Sequence, residues 1–430
     1  MSINRAIYWF RTDLRVRDNP PLHRAINTHS EILPVYIIDE RVFQVDQFGI
    51  DRISPLRVKF LLESLHDLKQ SLRALGSDLF VKVGDPVHEL KQLYQQYDCS
   101  MVHSQKACAY YECQDEIALS KFVNAEFTWG DTLIHIEDMP FEIEDLPDVY
   151  TPFRKIVEKR CDIRPLLEAP TEINTPEGFG TDIPTFSELG VEEPEIDPRT
   201  CLNFIGGETH GRNRIKYYLW DSQLVSTYHQ TRNGLVGGDY STKFSPWLAH
   251  GCISPRDIYW EIKKYEEQVE ANKSTYWVIF ELLWRDYFHF LALKYGKKLF
   301  LKNGISGVEK EWKTDNYYFE KWEKGRTNEP FINACMNELN ATGFLGNRAR
   351  QIAASFVVNN MNCDWRMGAA YYEKMLLDYD PCSNYGNWMY IAGVGTDARG
   401  GRKFNVDKQK KVHDPNREYQ RLWKRKKVTN

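Results

Sequence analysis

The chain has no apolar run approaching the roughly 20 residues that span a bilayer, which argues against a membrane helix. Residues 1–11 carry charge too early, and an apolar stretch too short, for a secretory signal. Nine cysteines, an odd number, lie scattered from Cys99 to Cys382 without one Cys-x-x-Cys pair. That speaks against a disulfide frame, and Cys108 and Cys113 lack the second pair of ligands a metal site needs. No Gly-x-Gly-x-x-Gly follows the first strand-like run, so the usual dinucleotide-binding turn is missing. Internal repeats and low-complexity tracts are also absent. A net charge of −4 is unlike the strong positive balance of an unselective nucleic-acid coat, although local positive charge could still bind DNA. The expectation is a reduced, cytoplasmic protein with no metal and no membrane contact.

What is present is tryptophan. Of 12 tryptophans only Trp9 and Trp129 precede residue 200. Indole is large and carries an N–H that needs a partner, so it is an uncommon core filler. The second half therefore uses its indoles for something or packs in an unusual way. Charge is also uneven. Acidic residues gather at 137–144 and 188–195, basic ones at 348–350, 399–411 and 421–427.

Short apolar runs at 6–10, 32–38, 79–83 and 101–103 read as buried strands. They alternate with helical stretches at 54–74, where Leu61, Leu65, Leu68 and Leu72 form one stripe, and at 86–95. Alternation of this kind predicts an α/β domain, a doubly wound parallel sheet covered on both faces, over residues 1–136. Residues 137–201 are rich in proline and acid and read as a connector running over the surface. From 202 to 430 the texture is helical, with segments at 208–219, 255–269, 275–295, 330–340, 347–360 and 365–377.

Four groups of residues carry candidate chemistry. Ser241, Thr242, Lys243, Phe244 and Ser245 stand before a helix-like stretch and could cradle a diphosphate, or merely form a capped turn. Tyr228, Arg232 and a flexible glycine-rich run at 234–238 precede them. Glu281, Trp284 and Arg285 share a helix face, able to grip a planar ligand or simply to pair with one another. Asn347, Arg350 and Gln351 share another face. The stretch 377–388 reads as a polar loop after a helix, because Pro381 prevents simple helix continuation. Asn384 and Asn387 within it are costly to bury without specific hydrogen bonds.

Taken in order, these blocks resemble the photolyase/cryptochrome family, and within it the DASH-type cryptochromes. The resemblance runs from residues 8–19 to 417–423, and its most specific stretches are 231–237, 243–256, 280–288 and 364–388. It implies an all-α FAD-binding domain joined by the connector to the α/β domain. Tyr228 and Ser241 to Ser245 match the positions that hold the FAD phosphates; Asn347, Arg350, Asp378, Tyr379 and Asp380, with Arg285, match those around the rest of the flavin. Asn384 matches the residue that faces flavin N5. Trp388, Trp365 and Trp312 match the electron-transfer tryptophans. Glu281, Trp284, Arg232, Asn347, Arg348, Gln351 and Tyr390 match lesion and DNA contacts.

The implied activity is a carbon–carbon lyase reaction, light-driven repair of cyclobutane pyrimidine dimers by electron transfer from reduced FAD. A dimer leaves the base stack cheaply because it is already poorly stacked. Members that repair (6-4) lesions place histidines where this chain has Asn347 and Gln351. Duplex-acting relatives carry methionine and tryptophan where Gln351 and Tyr390 stand. This more polar wall implies a preference for single-stranded DNA. The antenna implied is 5,10-methenyltetrahydrofolate, with Asp115 at the position of a pterin-gripping glutamate. A monomer is expected. The rival reading is a blue-light photoreceptor that signals without repair; signalling members carry long extensions, and only 424–430 follow Trp423. A light-independent flavin enzyme would leave the three tryptophans unexplained.

Overall fold

The structure is a computed structural model that describes residues 4–314, 316–396 and 400–424. Arg399 and 425–427, part of the basic runs noted above, lie outside the described residues.

Five parallel strands form one sheet in the order β3-β2-β1-β4-β5: β1 Arg5–Phe10, β2 Glu31–Asp39, β3 Phe80–Gly84, β4 Met101–Gln105 and β5 Ala125–Thr128. Strand alternation sends Ala6, Tyr8 and Phe10 to one core and Ile7 and Trp9 to the other, so both sheet faces are covered, as a parallel sheet requires. Helices Pro20–Thr28, Pro55–Ala74 and Pro86–Gln96 each begin with proline after an Asn, Ser or Asp whose side chain caps the first turn. The connector is not wholly irregular: it contains the helix Tyr150–Arg160.

The helical half is organised around Lys273–Tyr295, opened by a capping box at Asn272 and Thr275. It packs against Pro381–Ala392, which corrects the reading of 377–388 as a loop. Asp380 caps that helix through the N–H of Ser383, and Pro381 occupies its first turn. Proline there has no N–H to lose and its φ is already helical, so the signal that seemed to end a helix begins one. Gly386 lets the two helices touch, since a Cβ on it would stand 2.3 Å from the Phe288 ring.

Two carboxylates, Asp286 fully buried and Glu208 half-buried, clasp the halves together. Asp286 accepts the N–H groups of Leu133 (3.0 Å) and Ile134 (2.8 Å), and Glu208 accepts that of Val16 (2.8 Å). Burial pushes both carboxyls up to about 7.

Candidate active site

Three helices each turn one stripe at i, i+3, i+4 and i+7 toward a common cavity of about 370 Å³: Glu281, Trp284, Arg285 and Phe288; Asn347, Arg350, Gln351 and Ala354; Asn384, Asn387, Trp388 and Ile391. That spacing is the signature of one helix face, and the volume falls among small-molecule sites, ~300–1,000 Å³. Asp378, Tyr379 and Asp380 line the turn between helices, and Arg232 and Tyr390 complete the wall.

At its polar side Arg350 donates to Asp378 Oδ2 (2.8 Å), leaving Asp378 Oδ1 buried with no partner among the described residues. Asn384 donates from Nδ2 to the Ala369 carbonyl (3.0 Å). Its Oδ1 therefore remains as an acceptor, suited to a ring N–H. Gln351 is oriented by Arg348, whose Nη1 donates to its Oε1 (3.0 Å), and Arg348 also donates to Asn233. Arg348 itself stands behind the wall rather than in it.

Elsewhere on the wall Arg232 and Glu281 form an ion pair, and Trp277 Nε1 donates to Glu281 (3.1 Å). Trp284 lies flat on Tyr150 of the connector helix, ring centroids 3.7 Å apart and planes 14° from parallel. Tyr150 donates its hydroxyl to the Phe280 carbonyl (2.8 Å). Tyr390 meets Trp284 and Phe288 edge-on and lies under the Arg402 guanidinium.

Other residues singled out from sequence lie away from the cavity wall. Tyr228 and Ser241 to Ser245 do not line it. Arg214 holds the carbonyls of Gly238, Ser241 and Thr242 and so shapes that segment. Within it Lys243 takes the left-handed conformation, φ +59°, and buries an ammonium that has no hydrogen-bond partner among the described residues, against the Tyr240 ring. Burial pushes it down to about 8. An anion beside Lys243 would meet that need.

Trp388 lines the cavity and abuts Gly368, where a Cβ would stand 2.2 Å from its ring. Its ring neighbours are Tyr372 (5.0 Å) and Trp322 (6.3 Å). Trp365 sits one helical turn before Gly368, fully buried, with Nε1 on the Lys302 carbonyl and Tyr385 as ring neighbour. Trp312 is half-buried and has no ring partner among the described residues. Asp115 is held by both outer nitrogens of Arg41.

Phe288 and Ala354 were missed in the sequence although extending their stripes by one turn finds them; Ile391 follows the stretch that was read as a loop. Tyr150, Tyr372 and Arg402 come from other segments and carried no such signal.

Comparisons with known proteins identify the family. Residues 6–176 match the family described as DNA photolyase, and 277–426 match the FAD binding domain of DNA photolyase. The chain is 46% identical to the Cryptochrome DASH, chloroplastic/mitochondrial, of Arabidopsis thaliana, covering 97% of this chain and 75% of that protein. It is also 46% identical to Cryptochrome DASH of Danio rerio, over 98% and 84% of the two. The chain belongs to the photolyase/cryptochrome family. A solved cryptochrome structure from Synechocystis sp. PCC6803 superposes with a TM-score of 0.94 at 42% identity, covering 98% of this chain and 89% of that one. A class III photolyase from Agrobacterium tumefaciens, at 24% identity and TM-score 0.83, shares the fold. Family membership makes FAD the cofactor. The cavity fits a flavin on its own terms: a space of about 370 Å³ between helices, an unpartnered Asp378 oxygen and a free Asn384 acceptor. Among the described residues no helix is long and apolar enough to cross a membrane.

Proposed function

We propose that this protein is a deoxyribodipyrimidine photo-lyase acting on cyclobutane pyrimidine dimers, with a preference for single-stranded DNA. The observation that carries the reading is one cavity with two chemically distinct sides. Asp378, Arg350 and Asn384 offer hydrogen bonds to a flavin, whereas Arg232 and Glu281 offer an ion pair and Trp284 and Tyr390 aromatic rings. FAD supplies the light-excited electron donor when bound at the first side.

The residues of the second side receive an extruded dimer. Trp284, fixed by Tyr150, offers an aromatic wall. Glu281 accepts base N–H groups once Arg232 releases it to contact the phosphodiester, and Asn347 and Gln351 add amide groups along the wall. Trp388, Trp365 and Trp312 are assigned the supply of electrons from the surface, and Tyr228 with Ser241 to Ser245 the phosphates. Gln351 and Tyr390 make the wall polar, so it repays less of the cost of extracting a base from a duplex. An antenna folate gripped by Asp115 would have to displace Arg41. The protein is assigned to the cytoplasm as a monomer.

The test is loss of thymine dimer from single-stranded and duplex oligonucleotides under blue light, with a dark control. Repair of the single strand alone, or much faster, is expected; equal rates on both would remove the strand preference. The relatives are named cryptochromes, which favours a blue-light receptor as the second reading. Complete absence of repair by reduced, flavin-loaded protein would select it.

A further inference from the structure

At the cavity wall lies a cluster of four charges, of which Arg285 and Asp380 line the cavity and His289 and Asp131 stand outside it. His289, on Lys273–Tyr295, is almost fully buried. Its Nδ1 is 2.8 Å from the Arg285 carbonyl, which only accepts, so Nδ1 carries a proton. Its Nε2 stands 2.9 Å from Asp131 Oδ2 and 3.3 Å from Asp380 Oδ2. Ionised carboxylates also only accept, so Nε2 carries a proton as well. Both nitrogens are donors, and the ring is an imidazolium.

The two carboxylates belong to different parts of the molecule. Asp131 follows the sheet and is gripped by Arg285 through its carboxylate and its backbone carbonyl. Asp380 lines the cavity and uses its other oxygen to cap the helix that carries Asn384 and Trp388. Asp131, Asp380, Arg285 and His289 sum to zero charge. Burial and Arg285 oppose the charge on His289, yet Asp380 and Asp131 push its pKa up to about 10. The same cations hold Asp131 and Asp380 below the usual carboxylate range despite their burial.

We infer that His289 is a positioning residue: a permanent imidazolium that ties Asp131 to Asp380 and keeps the cavity able to accept the anionic, reduced form of the flavin. The inference rests on the flavin occupying this cavity. Without that charge, Asp131 and Asp380 would share the single cation Arg285, leaving one negative charge unpaired at the cavity wall.

The experiment uses the full-length flavoprotein and compares the affinities for reduced and oxidised flavin, read as the flavin midpoint potential. In His289→Gln the preference for the reduced anion should fall by on the order of tenfold, the size expected of one unpaired charge in a partly buried site. His289→Arg should keep it. Asp131→Asn combined with His289→Gln removes one charge of each sign and should restore it. Imidazole ¹⁵N signals of the wild type should show both nitrogens protonated at pH 7, a reading independent of any variant's folding. An unchanged potential in His289→Gln, an equal loss in His289→Arg, or a neutral ring at pH 7 each overturns the inference. So does stoichiometric metal in the purified protein, because His289, Asp380 and Cys382 could also surround a cation. Asp378→Asn, on the cavity wall but outside the cluster of charges, checks the placement itself. If flavin binding ignores that substitution, the flavin lies elsewhere.

Discussion

Arg232 and Glu281 neutralise one another at the cavity wall, so each is occupied before any nucleic acid arrives. On the proposed function, binding a dimer would exchange this pair for two new contacts. Glu281→Ala should therefore weaken a dimer-bearing single strand by about 1–3 kcal/mol while leaving undamaged strand almost unaffected. Arg232→Ala should weaken both and lower the salt dependence by about one phosphate contact. Fluorescence anisotropy across a salt series separates the two; equal effects of Glu281→Ala on damaged and undamaged strands would count against the lesion assignment.

The polar wall makes a second case. Gln351→Met with Tyr390→Trp should raise repair of duplex lesions relative to single-stranded ones. A matched pair of light-dose curves measures the ratio. No change would mean that strand preference originates outside the cavity.

Gly368 is a third point of leverage. Alanine there would drive a Cβ into the rigid Trp388 ring, costing about 1–3 kcal/mol by overpacking. The shifted indole should also slow light-driven reduction of the bound flavin, followed by loss of its blue absorbance. Normal photoreduction in Gly368→Ala would show that Trp388 is not an obligatory donor.

Stability should depend on pH through Asp286 and Glu208, whose carboxyls burial raises to about 7. A raised carboxyl favours the protonated form in the fold. Its contribution is fully present below the ordinary carboxylate pKa, near 4, and is lost as pH rises through about 7. The thermal midpoint should fall as pH rises from about 4 to about 7, the window those shifts define. Asp286→Asn should lower it overall and flatten the slope, because an amide leaves one of the two backbone donors unpaired. A pH-independent midpoint in the wild type would contradict this.

Much of this architecture is legible in the sequence because it follows from periodicity. The parallel sheet announces itself through short apolar runs, and two of the three cavity stripes through i, i+3, i+4 spacing. The loop reading of 377–388 failed because Pro381 is ambiguous: it both ends and begins helices, and only Asp380 as cap decides. Contacts across long sequence separation left no local mark. Tyr150 meets Trp284 from 134 positions away, and His289 reaches Asp131 across the boundary between halves. The tryptophan excess was visible as composition, but its division into Trp388 at the cavity and Trp365 behind Gly368 required the fold.

Tyr150 has one more consequence. It comes from the connector yet backs the aromatic wall, its hydroxyl anchored on Phe280 and its ring on Trp284. The helical half is thus not a portable module beginning after residue 201. Chimeras that graft it onto another amino-terminal domain should keep their lesion chemistry only when the 150–160 helix travels with it.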